Sequence, residues 1–269
     1  MNLPYAYRLD AVTTGYRAGR TPRVVSRSLS AELKTGRLTA LVGANGTGKS
    51  TLLRTMAGFQ PPLGGSLTLY GRPLTTYSAR RLARQVAVVT SARPVVSGLT
   101  VEEVTALGRM PYTGLTGRLS ATDREAVERA LTQAGATHLA GRDFAGLSDG
   151  ERARVMMARA LAAETPVVLL DEPTAFLDLG AAAHIWTLLT EITRDGSHTV
   201  LLSTHDIETA LQLADEIWLL TAEGLSVGTP TALVEAGVVE KAFATTHLTF
   251  DAGTRRFSLA GVTGDRVQR

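Results

Sequence analysis

The eight residues Gly43-Ala44-Asn45-Gly46-Thr47-Gly48-Lys49-Ser50 fit the spacing G-x-x-x-x-G-K-S/T along their whole length. That spacing serves one kind of chemistry. Glycines let the backbone turn successive N–H groups toward an anion, a lysine adds a point charge, and a hydroxyl can hold a divalent cation. Gly43, Asn45, Gly46, Thr47, Gly48, Lys49, Ser50 and Thr51 are therefore candidate phosphate-binding residues, with Ser50 a candidate ligand of Mg²⁺. Of 28 basic residues only Lys34, Lys49 and Lys241 are lysine, which makes a chance lysine in a glycine-rich turn the weaker reading.

A second group lies far along the chain. The apolar run Val167-Val168-Leu169-Leu170 ends in Asp171 and Glu172. Two carboxylates closing so apolar a strand suit a metal-binding acid, Asp171, followed by a base that polarises an attacking water, Glu172. Pro173 offers the plainer alternative of an acidic turn. Between these groups stands Leu147-Ser148-Asp149-Gly150-Glu151, in which Ser148 and Glu151 form a capping box opening a helix over 152–163. A capped helix start also directs free N–H groups and a positive dipole end toward an anion.

These groups need elements to hold them. Leu38–Val42 reads as the strand feeding the glycine loop, and 51–56 as the helix leaving it. Further strand candidates are 66–70, Val86–Val89, 166–170, Thr199–Ser203 and 216–220, alternating with helical stretches. The pattern predicts an α/β fold: a P-loop nucleotide-binding core on a mostly parallel sheet, with an antiparallel β portion. Strands stop between about 98 and 163, where Thr122-Asp123-Arg124-Glu125 reads as a capping box for a helix with Val127, Ala130, Leu131 and Ala134 on one face. This stretch is expected to be an α-helical subdomain inserted into the core. One domain of 1–269 results, with core about 1–95 and 164–222, helical subdomain about 96–163, and a C-terminal extension about 223–269. In that extension Phe250 and Phe257 are expected packing residues.

Composition narrows the class. The 269 residues are 44% hydrophobic and 20% charged, ordinary for a globular protein. No apolar run reaches the eighteen or more residues of a membrane span, and residues 1–10 lack a signal pattern. Absence of cysteine excludes disulfides and thiolate metal sites and fits a cytoplasmic setting. A net charge of +3, with arginines scattered, gives no strong sign of a nucleic-acid partner.

Taken in order, these motifs resemble those of the ATP-binding cassette family, over nearly the whole chain. Residues 43–50 are similar to its Walker A, 147–151 to its signature, and 167–172 to its Walker B. Ala175-Phe176-Leu177-Asp178 resembles the D-loop, and Ser203-Thr204-His205-Asp206 the switch-histidine region. Tyr16 stands where the family stacks an aromatic on adenine, although a packed strand-end tyrosine is an equal reading. The resemblance implies ATP and Mg²⁺ as cofactors, Glu172 and His205 as catalytic residues, and Tyr16 and Asp178 as nucleotide-site residues. It also implies a head-to-tail homodimer, in which each γ-phosphate meets Lys49 of one chain and Ser148 and Gly150 of the other, with Asp149 near the triphosphate. The chain departs from the family at three places. The usual glutamine after Val86–Val89 is replaced by Thr90-Ser91-Ala92-Arg93, where Ser91 or Thr90 offers a hydroxyl of shorter reach toward the metal. Asp149 replaces a more usual glycine, and Phe176 a smaller residue.

Leu107-Gly108-Arg109-Met110-Pro111-Tyr112 and Phe176-Leu177-Asp178 resemble segments of importers of iron-siderophore, haem and cobalamin. The implied setting is the cytoplasmic face of the cell membrane, with two permease subunits bound near residues 94–117. An extracytoplasmic binding protein would deliver cargo indirectly. The alternatives are a soluble cassette ATPase acting on DNA or ribosomes, an exporter ATPase, and a P-loop kinase. The first would be expected to carry a long heptad insertion or a second cassette, and the kinase to lack the signature and switch histidine.

Overall fold

A computed structural model of the chain describes residues 4–18, 21–92, 97–114, 117–194, 196–245 and 247–259. Part of the expected permease-facing segment 94–117, and Arg93 before it, lies outside these. In chain order the elements are β1 (Tyr5–Ala18), β2 (Thr21–Lys34), β3 (Leu38–Val42), α1 (Lys49–Met56), β4 (Gly64–Leu69), β5 (Arg72–Pro73) and α2 (Ala79–Leu82). Next come β6 (Val86–Val89), α3 (Val101–Ala106), α4 (Ala121–Gln133), α5 (Asp149–Ala162), β7 (Val167–Asp171) and α6 (Leu179–Arg194). The chain continues with β8 (Thr199–Ser203), α7 (Ile207–Leu213), β9 (Glu216–Thr221), β10 (Gly224–Gly228), α8 (Pro230–Glu235), α9 (Val238–Phe243), β11 (Leu248–Asp251) and β12 (Arg256–Leu259).

The central sheet runs β10-β9-β3-β8-β7-β6, parallel throughout except for the antiparallel β10 edge. Its inner strands are apolar at nearly every position because both faces are covered. Side chains alternate between the two faces with period two. Val168 and Leu170 of β7, with Val200 and Leu202 of β8, join the core under the helices. Val167, Leu169 and Leu201 point the other way, into a second core with α1 and the antiparallel sheet β2-β1-β4-β5.

The α/β class with a mostly parallel sheet and an antiparallel portion is therefore as the pattern predicts, with three local corrections. No strand is bounded ahead of Leu38, although Tyr16 has a strand-end reading, yet β1 and β2 pair there over most of their length. Their register shifts repeatedly, and Ala11 and Ser28 sit at φ 49° and 53°, so the alternation that marks a strand is broken. The strand expected at 66–70 begins at Gly64 and ends before Tyr70, which turns to φ 48°. The capping box of α4 is Ser120 with Asp123, not Thr122 with Glu125. Ser120 wins because Asp123 also meets Arg109, a tertiary contact that spacing alone does not reveal.

Arg109 explains the segment around it. It is 4% exposed, and its Nε donates to Asp123 Oδ1 at 2.9 Å. Its Nη1 donates to the carbonyl of Ala162 and to Glu164 Oε2 at 2.8 and 2.7 Å. The ring of Tyr112 lies beneath the guanidinia of Arg109 and Arg84, at 4.1 and 4.9 Å, and its hydroxyl donates to the carbonyl of Ala163. Arg80 and Arg84 both donate to the carbonyl of Pro111. Residues 107–113 are thereby pinned to the ends of α2, α4 and α5, while Met110 stands 65% exposed.

Hydrogen bonds from the Ser120 hydroxyl and backbone, with Arg109 beside them, hold the Asp123 carboxyl down at about 2. A carboxylate depressed on folding stabilises the native state fully above its unfolded value, and this is lost as pH falls through the folded one. Asp123→Asn is expected to lower the unfolding free energy by roughly 2 kcal/mol at neutral pH. In urea titrations the gap from wild type should close as pH drops from about 4 toward about 2. A gap that stays constant with pH would show that Asp123 acts by packing.

Candidate functional site

The glycine loop leaves β3 and enters α1 directly. Gly43 is forced by crowding: a Cβ there would lie 2.2 Å from the carbonyl oxygen of Leu220. Gly48 has φ 107°, and a Cβ would fall 2.7 Å from both Val25 Cγ1 and Ser26 Oγ of β2. Ser26 Oγ also donates to the carbonyl of Thr47 at 3.1 Å, so β2 clamps the loop from outside. Gly46, at φ 80°, faces open space. The Thr47 hydroxyl closes the turn on the carbonyl of Ala44 at 2.9 Å. Gly48 is the N-cap of α1 and brings no side-chain cap, which leaves the first N–H groups of the helix to an incoming anion.

Lys49 lies at the bottom, 5% exposed, its Nζ donating to the carbonyls of Gly43 and Ala44 at 2.8 and 3.2 Å. Burial pushes its ammonium below the ordinary lysine value, while the carboxylates of Glu172 and Asp171 push it back up. A phosphate would restore the charge that burial disfavours.

Asp171 is the meeting point of the site. Its Oδ1 accepts from Ser50 Oγ at 2.9 Å and from Ser203 Oγ at 2.8 Å, and its Oδ2 accepts from Ser91 Oγ at 3.1 Å. The start of α1, the end of β8 and the segment after β6 each send one hydroxyl to this 5%-exposed carboxylate. Of the two hydroxyls after β6, Ser91 and not Thr90 makes this contact. The next residue, Glu172, turns to φ 54°, a left-handed conformation costing a non-glycine residue about 1–3 kcal/mol. Its N–H is held by the hydroxyl and carbonyl of Ser203 at 3.0 and 3.2 Å. Glu172 Oε1 lies 2.5 Å from His205 Nε2.

The expected residues therefore fall into two sets. Tyr16, Asn45, Gly46, Gly48, Lys49, Ser50, Thr51 and Glu172 line one cleft. Asp171 joins it by accepting the Ser50 hydroxyl, Ser91 through its own donation to Asp171, and His205 through Glu172. The Tyr16 hydroxyl pairs with Thr51 Oγ1 at 2.9 Å, which ties the ring, 40% exposed, to the first turn of α1. Ser148, Asp149 and Gly150 do not line this cleft. They open α5, where the Ser148–Glu151 capping box is present as expected. Asp149 lines a neighbouring, more apolar hollow between α5 and the loop after β7, to which Ser91 and Glu172 also contribute. Asp178 is also absent from the cleft lining and accepts the N–H of Ala181 at 2.8 Å, at the start of α6.

Sequence reasoning missed Ser203 as a member of the Asp171 cluster, and Arg23 and Val25 as cleft residues. The one available signal for Ser203 was a hydroxyl ending an otherwise apolar buried strand. Arg23 sits opposite Tyr16 in the β1–β2 register, which could not be read without those strands.

The glycines separate steric need from conformational need. In the nucleotide-free protein, Gly46→Ala is expected to cost only the left-handed penalty of about 1–2 kcal/mol, a Tm shift of a few degrees. Gly48→Ala must also push aside the Val25 and Ser26 side chains of β2 and should lower Tm at least twice as far. Equal shifts in differential scanning fluorimetry would remove the β2 clamp.

Comparison with known proteins agrees with this geometry. Residues 26–175, more than half the chain, match the sequence profile of the family described as ABC transporter. The ferric enterobactin transport ATP-binding protein FepC of Escherichia coli (strain K12) is 35% identical over 88% of this chain and 86% of its own length. The hemin import ATP-binding protein HmuV of Streptomyces coelicolor is 38% identical over 84% of this chain and 80% of its own. Among solved structures, a putative metal-chelate type ABC transporter in an inward-facing conformation matches with TM-score 0.77 and 26% identity, over 91% of this chain and 90% of that one. A dimeric structure of the bacterial cassette MJ0796 matches with TM-score 0.73 and 25% identity, over 83% and 98%. The chain belongs to the ABC transporter family, as one of its ATP-binding, ATP-hydrolysing cassettes.

Proposed function

We propose that this chain powers uptake of a ferric siderophore or haem through a partner permease, cobalamin-type cargo being the wider class its segments resemble. The observation that carries the reading is the agreement between the cleft around Lys49 and Asp171 and the relatives named for siderophore and hemin import. Each of those relatives matches most of this chain.

The residues fit Mg²⁺·ATP. Ser50, Ser91 and Asp171 present hydroxyl and carboxylate oxygens, the hard donors that Mg²⁺ takes alongside phosphate oxygens and water. When bound, that ion neutralises charge on the β- and γ-phosphates. Lys49 and the loop N–H groups hold the phosphates, and Tyr16 offers its ring to the adenine. Glu172 accepts the proton of the attacking water, and His205, already against Glu172 Oε1, fixes that carboxylate and faces the γ-phosphate.

A second copy of the chain completes the site. Ser148 and Gly150 lie outside their own chain's cleft at a helix start that presents N–H donors, which suits them to the partner's γ-phosphate. Dimeric relatives support this pairing. The pinned segment bearing Met110 and half-exposed Leu107 would receive the permease at the cytoplasmic face of the membrane. Among the described residues no helix is long and apolar enough to cross a membrane, so the transport path is assigned to that partner.

General base catalysis contributes roughly 10²–10⁴-fold, so Glu172→Gln should lose that much turnover while keeping ATP affinity. Tagged full-length Glu172→Gln, isolated with ATP from gently solubilised membranes, should carry bound ATP and a polytopic permease identifiable by mass spectrometry. Near-normal hydrolysis would remove Glu172 as base. Recovery with nucleic acid or ribosomes instead of a membrane protein would overturn the importer reading in favour of a soluble cassette.

A further inference from the structure

We infer that the C-terminal hairpin β11–β12 is a brace that positions His205, by fixing both ends of the helix just after that histidine. The inference rests on the reading of His205 as the group that holds Glu172 and faces the γ-phosphate. Helix α7 starts two residues after His205, whose carbonyl accepts the N–H of Ile207 at 3.0 Å. Asp206 caps the helix through the N–H of Thr209 at 3.0 Å. On the sheet side the same loop is anchored by the Thr204 N–H donating to the carbonyl of Leu41. A helix of seven residues is marginal by itself, so its direction must be set by what it is tied to.

Ala210 and Leu211 seat one face of α7 in the main core, and the hairpin ties its two ends. In the first turn of α7, Glu208 Oε1 accepts the backbone N–H of Phe257 at 2.8 Å, from 49 residues away. At the last turn, Arg255 Nη1 donates to the carbonyl of Leu211 at 3.0 Å, and its Nη2 donates to Thr231 Oγ1 of α8 at 2.7 Å. Both ties to α7 pair a charged group with a backbone group, the stronger class of hydrogen bond, and the second meets an end-of-helix carbonyl. The hairpin is itself a defined object. Asp251 Oδ1 accepts the N–H groups of Gly253 and Thr254 in its turn, and Arg255 is held at φ 55°. Phe257 packs on Phe250 at 4.8 Å and on Phe243 of α9 at 6.1 Å between ring centroids. Glu208 and Arg255 line no part of the nucleotide cleft, so their ties have no role there except through α7.

Glu208 and Arg255 are thus positioning residues for hydrolysis. The test uses the purified full chain as Glu208→Ala, Glu208→Gln and Arg255→Ala, with His205→Ala as reference. It measures kcat and KM for Mg²⁺·ATP, together with affinity for a fluorescent ATP analogue. Glu208→Ala and Arg255→Ala are expected to lower kcat roughly three- to tenfold, with KM and affinity within about twofold. Glu208→Gln, which keeps an oxygen acceptor, should recover most of the loss. The brace is overturned if kcat stays at the wild-type level in both alanine variants while His205→Ala loses turnover. It is also overturned if affinity falls in step with kcat, the sign of general loosening, or if Gln gives no recovery. A His205→Ala variant with full turnover overturns the underlying reading of His205, a result separable from all of these.

Discussion

A single buried carboxylate organises this molecule. Asp171 cannot be 5% exposed and charged without donors around it, since burying an unpaired charge costs several kcal/mol. It obtains them from Ser50, Ser91 and Ser203, which belong to three different segments. Satisfying this one group therefore fixes the start of α1 against β7, the exit of β6 against β7, and the register of β8. The strand that delivers Asp171 must be apolar on both faces to reach so deep, which explains why Val167 to Leu170 divide between two cores.

The same constraint shapes the residues immediately after Asp171. Ser203, having donated to Asp171, receives the N–H of Glu172, which then turns into the left-handed region. That turn brings Glu172 into the cleft against His205, while Asp171 stays behind it, bonded to Ser50. Lys49 meanwhile rests on the carbonyls of its own loop. These are bonds to neutral acceptors, which phosphate oxygens can replace with charge-assisted ones.

Much of this was legible in the chain itself, for local reasons. The glycine spacing, the apolar strands ending in Asp171 and Ser203, and the Ser148–Glu151 cap are short-range patterns that each dictate one conformation. What was not legible is non-local. The bulged β1 and β2 carry no clean alternation and make sense only as a pair that also clamps Gly48. The choice of Ser120 over Thr122 as cap depends on Arg109, well back along the chain, and Ser203 acquires its role only by lying beside β7. The replacement of a long amide by Ser91 looked like a loss of reach, yet its hydroxyl lies 3.1 Å from Asp171, because the end of β6 runs directly alongside β7.

On the proposed function, Asp171 with Ser50 and Ser91 forms the seat of a metal–nucleotide complex and does more than stabilise a strand. Isothermal titration of ATP with and without Mg²⁺, into wild type and Asp171→Asn, tests it directly. Asn keeps the shape and an acceptor for the hydroxyls but removes the charge that a hard cation requires. Mg²⁺ is expected to strengthen ATP binding to wild type by roughly tenfold or more, about 1.4 kcal/mol per decade, and to have almost no effect in the variant. An equal Mg²⁺ effect in both proteins would contradict it.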